Sequence, residues 1–396
     1  MKTPWELLKE SKTKIKTTWR IAFVSALVLG LLIHLPVMLS DIPNHDGLSS
    51  MYFDQNMITS GRWFLTVACG FSSYFTIPWV IGLIGLIWLG LTAAVLTEVL
   101  ELTDPVTITV VSGLLVSFPA LASTFAYVFT MDGYMMALFL AVLAVLFTAK
   151  YPRGYLAGAV CLAFSMGIYQ AYLPFTILLC VYKILLFFME EKGWEKKAKY
   201  VCRYLGMGIA GGVLYYVILQ ILLKLQGRVL DTYQGINSME QMGSGMGILT
   251  TLKGMYVDFL AFTVHGNVLV NNIFSLAACI ILVATVAFLV IRSMIWRKWW
   301  KNPAFFVIMI LLGISMPILT NVILLISPNL TYHLLMRYQW VLYLILMTAF
   351  ADRYTAEESR TDVVLQWAAL CAAVVLVFDY GISDNIGYSN LEKKYE

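Results

Sequence analysis

Long apolar runs separated by short polar breaks recur along almost the whole chain, and they constrain its fold more than any other feature. The runs cover residues 21–40, 77–99, 106–126, 133–149, 154–171, 174–189, 204–223, 273–291, 303–326, 334–350 and 363–380. Roughly 20 apolar residues suffice for a helix to cross a bilayer, whereas the strands of a membrane β-barrel alternate and lack such runs. Only 13% of the 396 residues are charged, about half the usual fraction of a soluble domain. The sequence therefore predicts an all-α polytopic membrane protein with about eleven transmembrane helices.

The distribution of Lys and Arg predicts the orientation of these helices. With the N-terminus inside, 19 of the 27 basic residues lie on the cytoplasmic side and seven on the outer side, as the positive-inside rule requires. Residues 1–20 are then a basic cytoplasmic N-terminus, 21–380 the membrane domain and 381–396 a short outer tail. Because no extended basic patch carries interleaved aromatic residues, nucleic acid is excluded as a partner.

Two outer loops are long, 41–76 and 224–272. The first begins with Asp41, His45 and Asp46, and residues 48–59 have the weak amphipathic pattern of an interfacial helix. A carboxylate at the membrane surface can take a proton from an attacking hydroxyl, and Arg62 can bind a phosphate with two parallel hydrogen bonds. The alternative is that the acidic residues only mark the water interface and cap the next helix.

Polar side chains also gather at the outer ends of other spans. Asp132 is the only charge between Pro105 and Lys150. It is either a functional polar anchor or the N-cap of the next helix. The residues Tyr134, Tyr169, Gln170 and Tyr172 offer hydrogen bonds and stacking suited to a sugar, or form an ordinary aromatic belt.

His333 and Arg337 begin the tenth span and are four residues apart, which places them on one face of an α-helix. A charge at the start of a span usually faces a cavity, so this pair is a candidate for binding a phosphate. The alternative is that Arg337 extends toward lipid headgroups.

Motifs of other chemistries do not occur in the sequence. It contains no GxxxxGK[ST], HExxH or GxSxG pattern and no Cys or His spacing typical of a metal site. Ion-coupled transport normally places ionisable groups in the middle of the spans, where this chain has few. A reaction at the outer surface fits the distribution better.

Several segments together resemble the Gtr type-II bacterial glucosyltransferases. The resemblance is strongest over 118–134, which contains Phe-Pro-Ala-Leu-Ala-Ser-Thr and Thr-Met-Asp-Gly-Tyr, and over 165–175, Ser-Met-Gly-Ile-Tyr-Gln-Ala-Tyr-Leu-Pro-Phe. The first loop, with Asn-His-Asp-Gly at 44–47 and Gly-Arg at 61–62, and the segment 384–390 are also similar.

This resemblance implies a membrane glycosyltransferase of the GT-C kind in the bacterial cytoplasmic membrane. Such enzymes take a sugar from polyprenyl phosphate on the outer side, and type members glucosylate a surface polysaccharide, as in O-antigen modification. By the resemblance, Asp46 supplies the base, Asp132 is a second polar anchor and Arg62 faces the donor phosphate; Asp41, five residues before Asp46, is a further catalytic candidate from the loop itself. No cofactor is required; a divalent cation between Asp46 and the phosphate is compatible with the sequence, although no ligand cluster demands one.

The function predicted on these grounds is transfer of a hexose, glucose by the resemblance, from polyprenyl phosphate to a hydroxyl of a cell-surface glycopolymer. Its partners would be the lipid-linked donor, the polysaccharide acceptor and the bilayer. Two alternatives stay open: a flippase or transporter of a lipid-linked sugar, and a polysaccharide polymerase or ligase. Gtr family members often continue into a soluble outer domain after the last span, whereas this sequence stops at Glu396.

Overall fold

The computed structural model describes most of the chain, and most of the described residues are helical. The described residues are 2–40, 54–70, 72–74, 77–190, 193–231, 245–299, 303–327, 331–355 and 359–395. Their α-helices, in chain order, are α1 (Pro4–Lys14), α2 (Thr17–Leu39), α3 (Leu65–Ala68), α4 (Pro78–Leu100), α5 (Pro105–Ser117), α6 (Pro119–Phe125), α7 (Val128–Lys150), α8 (Gly154–Ile168), α9 (Leu173–Glu190), α10 (Trp194–Gln226), α11 (Gly245–His265), α12 (Ile273–Arg297), α13 (Pro303–Thr320), α14 (Ile323–Ile326), α15 (Val341–Tyr354) and α16 (Arg360–Tyr395). Short 3₁₀ segments occupy Ile58–Ser60, Gln170–Tyr172 and Leu334–Trp340.

The helices confirm the prediction of an all-α polytopic membrane protein. Within the described ranges, nine helices are long and apolar enough to cross a bilayer, and α5 and α6 make a tenth if this pair, bent by 47°, is one span. Two further apolar segments, α8 and residues 304–320 of α13, are shorter. The chain is therefore a multi-pass membrane protein.

Ion pairs gather the ends of many helices on one face of the bundle, which we call the charged face. Glu98, near the end of α4, accepts hydrogen bonds from Lys16 before α2 and from Lys150 at the end of α7, at 2.6 and 2.7 Å. Glu101, just past α4, accepts from Lys183 of α9 and Arg353 of α15, both at 2.7 Å. These contacts fix the direction in which each of five helices runs: α2, α4, α7, α9 and α15.

The directions of α10 and α12 determine the position of α11 between them. Lys197 in the first turns of α10 lies 5.5 Å from the ring of Phe305 at the start of α13. Arg297 at the end of α12 donates to the carbonyl oxygen of Met189, near the charged end of α9. Since α10 begins and α12 ends at the charged face, α11 lies between two ends on the opposite face.

The connection predicted over residues 224–272 therefore joins two ends on one face, and it contains a helix over Gly245–His265 that the sequence analysis did not predict. Although α11 passes a length and hydropathy test for a span, its neighbours in the chain start and finish on the same side. The hydroxyl of Tyr256 donates to the carbonyl of Ile314 in α13, and the amide of Asn321 donates to the carbonyl of Met255. Asp258 of α11 accepts from Arg337 in the 3₁₀ segment 334–340. With α11 set aside, eleven continuous or broken helical segments of the described chain connect the two faces.

Two other predicted boundaries change. Residues 381–395, predicted as a tail, continue α16 without a break. Half of the predicted interfacial helix over 48–59, residues 48–53, lies outside the described residues, and in the other half only Ile58 and Thr59 belong to a 3₁₀ turn, which ends at Ser60.

Several helices break near the face of the bundle opposite the charged face. The chain bends at Phe118 before Pro119 and leaves helical geometry again at Tyr127 and Tyr169. The segment 334–340 forms a 3₁₀ helix with non-helical geometry at Arg337. It packs against α6, α9 and Gln170–Tyr172, so these breaks meet at one place.

Candidate functional site

A tight turn after Ile58–Ser60 presents Arg62 to the helix breaks. Gly61 has φ of 78°, a conformation that glycine adopts without strain. Its N–H donates to the carbonyl of Ile58 at 2.9 Å, and the N–H of Arg62 donates to that of Met57 at 3.1 Å. These bonds fix the direction in which the Arg62 side chain leaves the backbone.

Two side chains hold this turn against the bundle. The Gln170 amide donates to the carbonyl of Ser60 and to the hydroxyl of Tyr215, both at 3.0 Å. That hydroxyl in turn donates to the carbonyl of Gly61 at 3.0 Å. A Cβ at Gly61 would lie 2.5 Å from both side chains, so the close fit requires glycine.

The guanidinium of Arg62 rests on a pair of stacked tyrosines. Its Nη1 donates to the Tyr134 hydroxyl at 3.2 Å, and its Cζ lies 4.8 Å from the centre of the Tyr169 ring. The two rings are parallel, 4.2 Å apart. Both tyrosines are buried whereas Arg62 is partly exposed. We call Arg62, Tyr134, Tyr169, Gln170 and Tyr215 the Arg62 cluster; four of its five members were predicted from the sequence.

The aromatic layer continues inward through Tyr172. Its ring contacts those of Tyr169 and Tyr338 edge to face, with centres 5.5 and 6.3 Å apart. Tyr172 is 1% exposed, so a sugar would reach it only if this layer opened.

Asp132 lies within α7 rather than at its N-cap, so the capping alternative is wrong. The helix begins at Val128, four residues earlier. The buried carboxylate accepts from the Gly133 N–H at 2.9 Å and is hydrogen-bonded by Ser72 and Cys69. The segment after Arg62 therefore also covers Asp132.

Arg337 is buried and already holds a carboxylate. Its two terminal nitrogens donate to the two oxygens of Asp258 on α11, at 2.7 and 2.6 Å. Its Cζ lies 3.9 Å from the centre of the Tyr332 ring and 4.7 Å from that of Phe262. Burial raises the pKa of the Tyr332 hydroxyl, although Arg337 opposes this effect, so the hydroxyl is neutral and accepts from Gln339 at 2.7 Å.

The prediction that His333 shares a helix face with Arg337 is wrong. His333 is the exposed N-cap residue of the 3₁₀ segment, whereas Arg337 points inward. Residues three apart eclipse in a 3₁₀ helix, so the spacing of four does not align them.

The predicted bases Asp41 and Asp46 lie outside the described residues. The described carboxylate nearest to Arg62 in sequence is Asp54, which accepts a hydrogen bond from the hydroxyl of Thr66. In the described ranges, no three His, Cys, Asp or Glu side chains come together as a metal site would require.

Comparison with known families gives one match over most of the chain. The family model described as Glucosyl transferase GtrII matches residues 35–351. The chain belongs to this family. The resemblance to Gtr type-II glucosyltransferases is thereby confirmed, and with it a glucosyl-transfer function. Comparisons with curated proteins and with solved structures give no match.

The match to GtrII contains the whole Arg62 cluster, together with three residues that the sequence analysis missed. Asp54 precedes the Gly61 turn, Tyr215 supports that turn, and Asp258 pairs with Arg337. Asp54 and Asp258 had a signal, since each is an acidic residue in one of the two long predicted loops, 41–76 and 224–272. Tyr215 had none, because it is one of many aromatic residues in the apolar run of α10.

Proposed function

We propose that this GtrII-family chain moves glucose from a polyprenyl-phosphate carrier to a hydroxyl of a cell-surface polysaccharide. The reaction would take place on the outer side of the bacterial cytoplasmic membrane, with the charged face in the cytoplasm. The single observation that carries the proposal is the Arg62 cluster. It places a partly exposed cation on the face away from the basic helix ends, inside the range matched by a glucosyltransferase family.

The reaction needs an attacking hydroxyl, a base and a group that stabilises the leaving phosphate. The acceptor oxygen bonds to the anomeric carbon while the bond from that carbon to the phosphate oxygen breaks. The phosphate keeps the electron pair, and the hydroxyl proton passes to a carboxylate. Asp46 is the first candidate for the base and Asp41, five residues earlier in the sequence, the second; Asp54 is a third carboxylate of the same segment.

Arg62 is suited to the leaving phosphate. A guanidinium forms paired, charge-assisted hydrogen bonds with phosphate oxygens, and preorganised charge of this kind often lowers the reaction barrier more than any other single effect. The ring of Tyr169 and the hydroxyl of Tyr134 hold the guanidinium in place before the donor arrives. A fixed cation loses little side-chain entropy on binding, which favours the transition state.

The buried tyrosines and Gln170 support the site through Arg62 and its turn. The Tyr134 and Tyr169 rings cover one another, and both N–H groups of Gln170 are occupied by Ser60 and Tyr215. We therefore propose that they position Arg62, and that Asp132 fixes the segment after it. Direct sugar contacts would come from groups closer to the surface.

A transfer assay with purified protein tests the proposal. Polyprenyl-phosphate glucose labelled in the sugar is offered with a bacterial surface polysaccharide, and label is followed from lipid to polymer. We expect transfer by the unaltered chain, and a rate loss of about 10²–10⁴-fold for Asp46→Asn if this residue is the base. A flippase would move the labelled lipid across vesicles without breaking its sugar–phosphate bond.

Arg62 variants with a matched control test the site. Arg62→Lys keeps the charge and loses the paired geometry, so we expect a raised donor KM, and Arg62→Gln should lose most of the transfer. Arg228, an exposed arginine just past α10 on the same face, supplies the control Arg228→Gln, which should transfer normally. Equal donor dependence in all three variants would remove Arg62 from the phosphate site.

A further inference from the structure

An open groove of about 650 Å³ lies at the charged face, at the end of the bundle away from the Arg62 cluster. One wall is the last turns of α12, and the floor is formed by Tyr354 at the end of α15 and Asp362 in the first turn of α16. Ligand pockets commonly have volumes of about 300–1,000 Å³. The proposed transfer reaction makes no use of this groove.

The wall formed by α12 is apolar and faces the lipid. Phe288, Ile291 and Ile295 lie three or four residues apart, hence on one side of the helix, and all three are exposed. Trp296 follows at the rim and is 84% exposed. Tryptophan is enriched at the depth of lipid headgroups, so the groove extends from that depth into the hydrocarbon.

Arg292 and Asp362 form an ion pair at the floor of the groove. Arg292 donates to Asp362 and to the carbonyl of Tyr354, the latter at 2.8 Å. The second oxygen of Asp362 accepts from the hydroxyl of Ser359 at 2.6 Å. Because both carboxylate oxygens are occupied and its charge is balanced, Asp362 is a poor partner for the ammonium of a zwitterionic lipid.

Among the described residues that line the groove, Arg292 and Asp362 balance each other and Arg297 adds one positive charge. Its Nη1 donates to the carbonyl oxygen of Met189 at 2.7 Å, a contact that carries no opposing charge. The side chain is exposed and lies one residue after Trp296, at the headgroup end of the apolar wall. Basic pockets between helices at this depth suit the phosphate of an anionic lipid.

We infer that the groove binds one anionic phospholipid of the leaflet at the charged face. The phosphate lies at Arg297, an acyl chain lies along Phe288 and Ile291, and Trp296 borders the headgroup. The charge of the groove selects an anionic headgroup over a zwitterionic one. The occupant is a bilayer phospholipid rather than the polyprenyl-phosphate donor, whose proposed site is on the opposite face.

Native mass spectrometry of the purified full chain tests this inference. The protein in detergent is mixed with equal amounts of phosphatidylglycerol and phosphatidylcholine of the same acyl chains, and the ratio of the two bound lipids is measured. We expect phosphatidylglycerol to predominate. Arg297→Gln should lower the ratio about fivefold, the factor equivalent to about 1 kcal/mol per basic residue near anionic lipid.

Two further variants separate a site from general surface charge. Arg297→Lys keeps the charge and should retain most of the preference. Arg153 is an exposed arginine at the same face, before α8, so Arg153→Gln should leave the ratio unchanged. Two results would overturn the inference: an unaltered ratio in Arg297→Gln, or an equal loss in Arg153→Gln.

A competition arm distinguishes the two sources of lipid phosphate. A short-chain polyprenyl phosphate added at equal concentration should leave bound phosphatidylglycerol in place. Its displacement would assign the groove to the carrier lipid and refute the stated occupant. This readout does not depend on glucosyl transfer, so it stands or fails separately from the proposed function.

Discussion

Replacing Asp258 by asparagine separates two roles for Arg337. The first is the predicted one, in which the guanidinium binds the donor phosphate and Asp258 must first leave it. In the second, the pair fastens α11 to the 3₁₀ segment 334–340 and takes no part in donor binding. The variant removes the charge of Asp258 while keeping its size, so the two roles give different results.

The structure supports an estimate of the stability change. Removal of one partner of a buried ion pair costs about 3–5 kcal/mol, but the Asp258 side chain is 25% exposed and that of Arg337 10%. In the variant, Arg337 still donates to the Tyr332 carbonyl at 3.3 Å and still lies over the rings of Tyr332 and Phe262. Each of these two cation–π contacts is worth about 0.5–2 kcal/mol. We therefore expect a loss of about 2 kcal/mol, or about 4 °C in Tm at the sensitivity of larger domains.

The same contacts argue against an exchange of ligands at Arg337. Carboxylate and phosphate both form paired hydrogen bonds with a guanidinium, so a phosphate gains little by displacing Asp258. Displacement would also remove a contact that holds α11, whose helix is otherwise mostly exposed. We therefore expect the donor KM of Asp258→Asn to stay within about twofold of the unaltered chain, a change of less than about 0.5 kcal/mol.

Thermal unfolding in detergent and the labelled-donor transfer assay give the two measurements. Asp362→Asn is the control, because it removes the partner of Arg292 at the other end of the bundle. It should lower Tm with the same unchanged donor KM. A donor KM lowered fivefold or more in Asp258→Asn alone would refute this reasoning and make Arg337 the phosphate ligand.

Three further predictions concern the turn at Gly61, the charged face and α11. Gly61→Ala should lower Tm and abolish transfer, because its φ of 78° and its tight packing both exclude a side chain; normal transfer would show that the turn is not required. Burial alone would raise the pKa of Glu101, but hydrogen bonds from Lys183 and Arg353 outweigh it and hold the pKa below 4.5. That stabilisation is present above this pH and is lost as pH falls through the folded-state pKa, so Tm measured against pH should drop below about 4.5 less steeply in Glu101→Gln. Cysteines placed at Arg228 and Asn267, which flank α11, should react with an impermeant thiol reagent from the same side of sealed vesicles; labelling from opposite sides would make α11 a span.

The sequence predicts the spans well because a long apolar run has few alternatives to a membrane helix. The sequence does not predict that α11 is helical, because Lys253, Gly254 and Asp258 interrupt its apolar run and a glycine-rich stretch precedes it. Local composition there resembles a loop, whereas the helix is held by distant residues such as Arg337 and Asn321. Such tertiary contacts leave no local pattern.

The candidate site was predictable in its residue types but not in its pairings. Arg62, Tyr134, Tyr169 and Gln170 stood out as polar or aromatic groups at span ends, and the structure brings them together. That Asp258 would occupy Arg337 could not be inferred, because 79 residues separate them. The different backbone of 334–340 was equally hidden, since 3₁₀ and α-helices share the same apolar composition.

The shortness of α8 has a consequence for where the donor must be in the bilayer. Its 15 residues rise about 22 Å, whereas a typical hydrocarbon layer is about 30 Å thick. If Gly154 lies at one boundary of the hydrocarbon layer, the break at Tyr169, and Arg62 upon it, lie about 8 Å inside the other boundary, and the lipid phosphates lie beyond that boundary. A carrier lipid that reaches Arg62 has to sink by at least this amount, or the bilayer has to thin beside α8. Thin membranes should then bring donor and protein together more readily than thick ones, so acyl-chain length would control the rate of glucosyl transfer without any change in the protein.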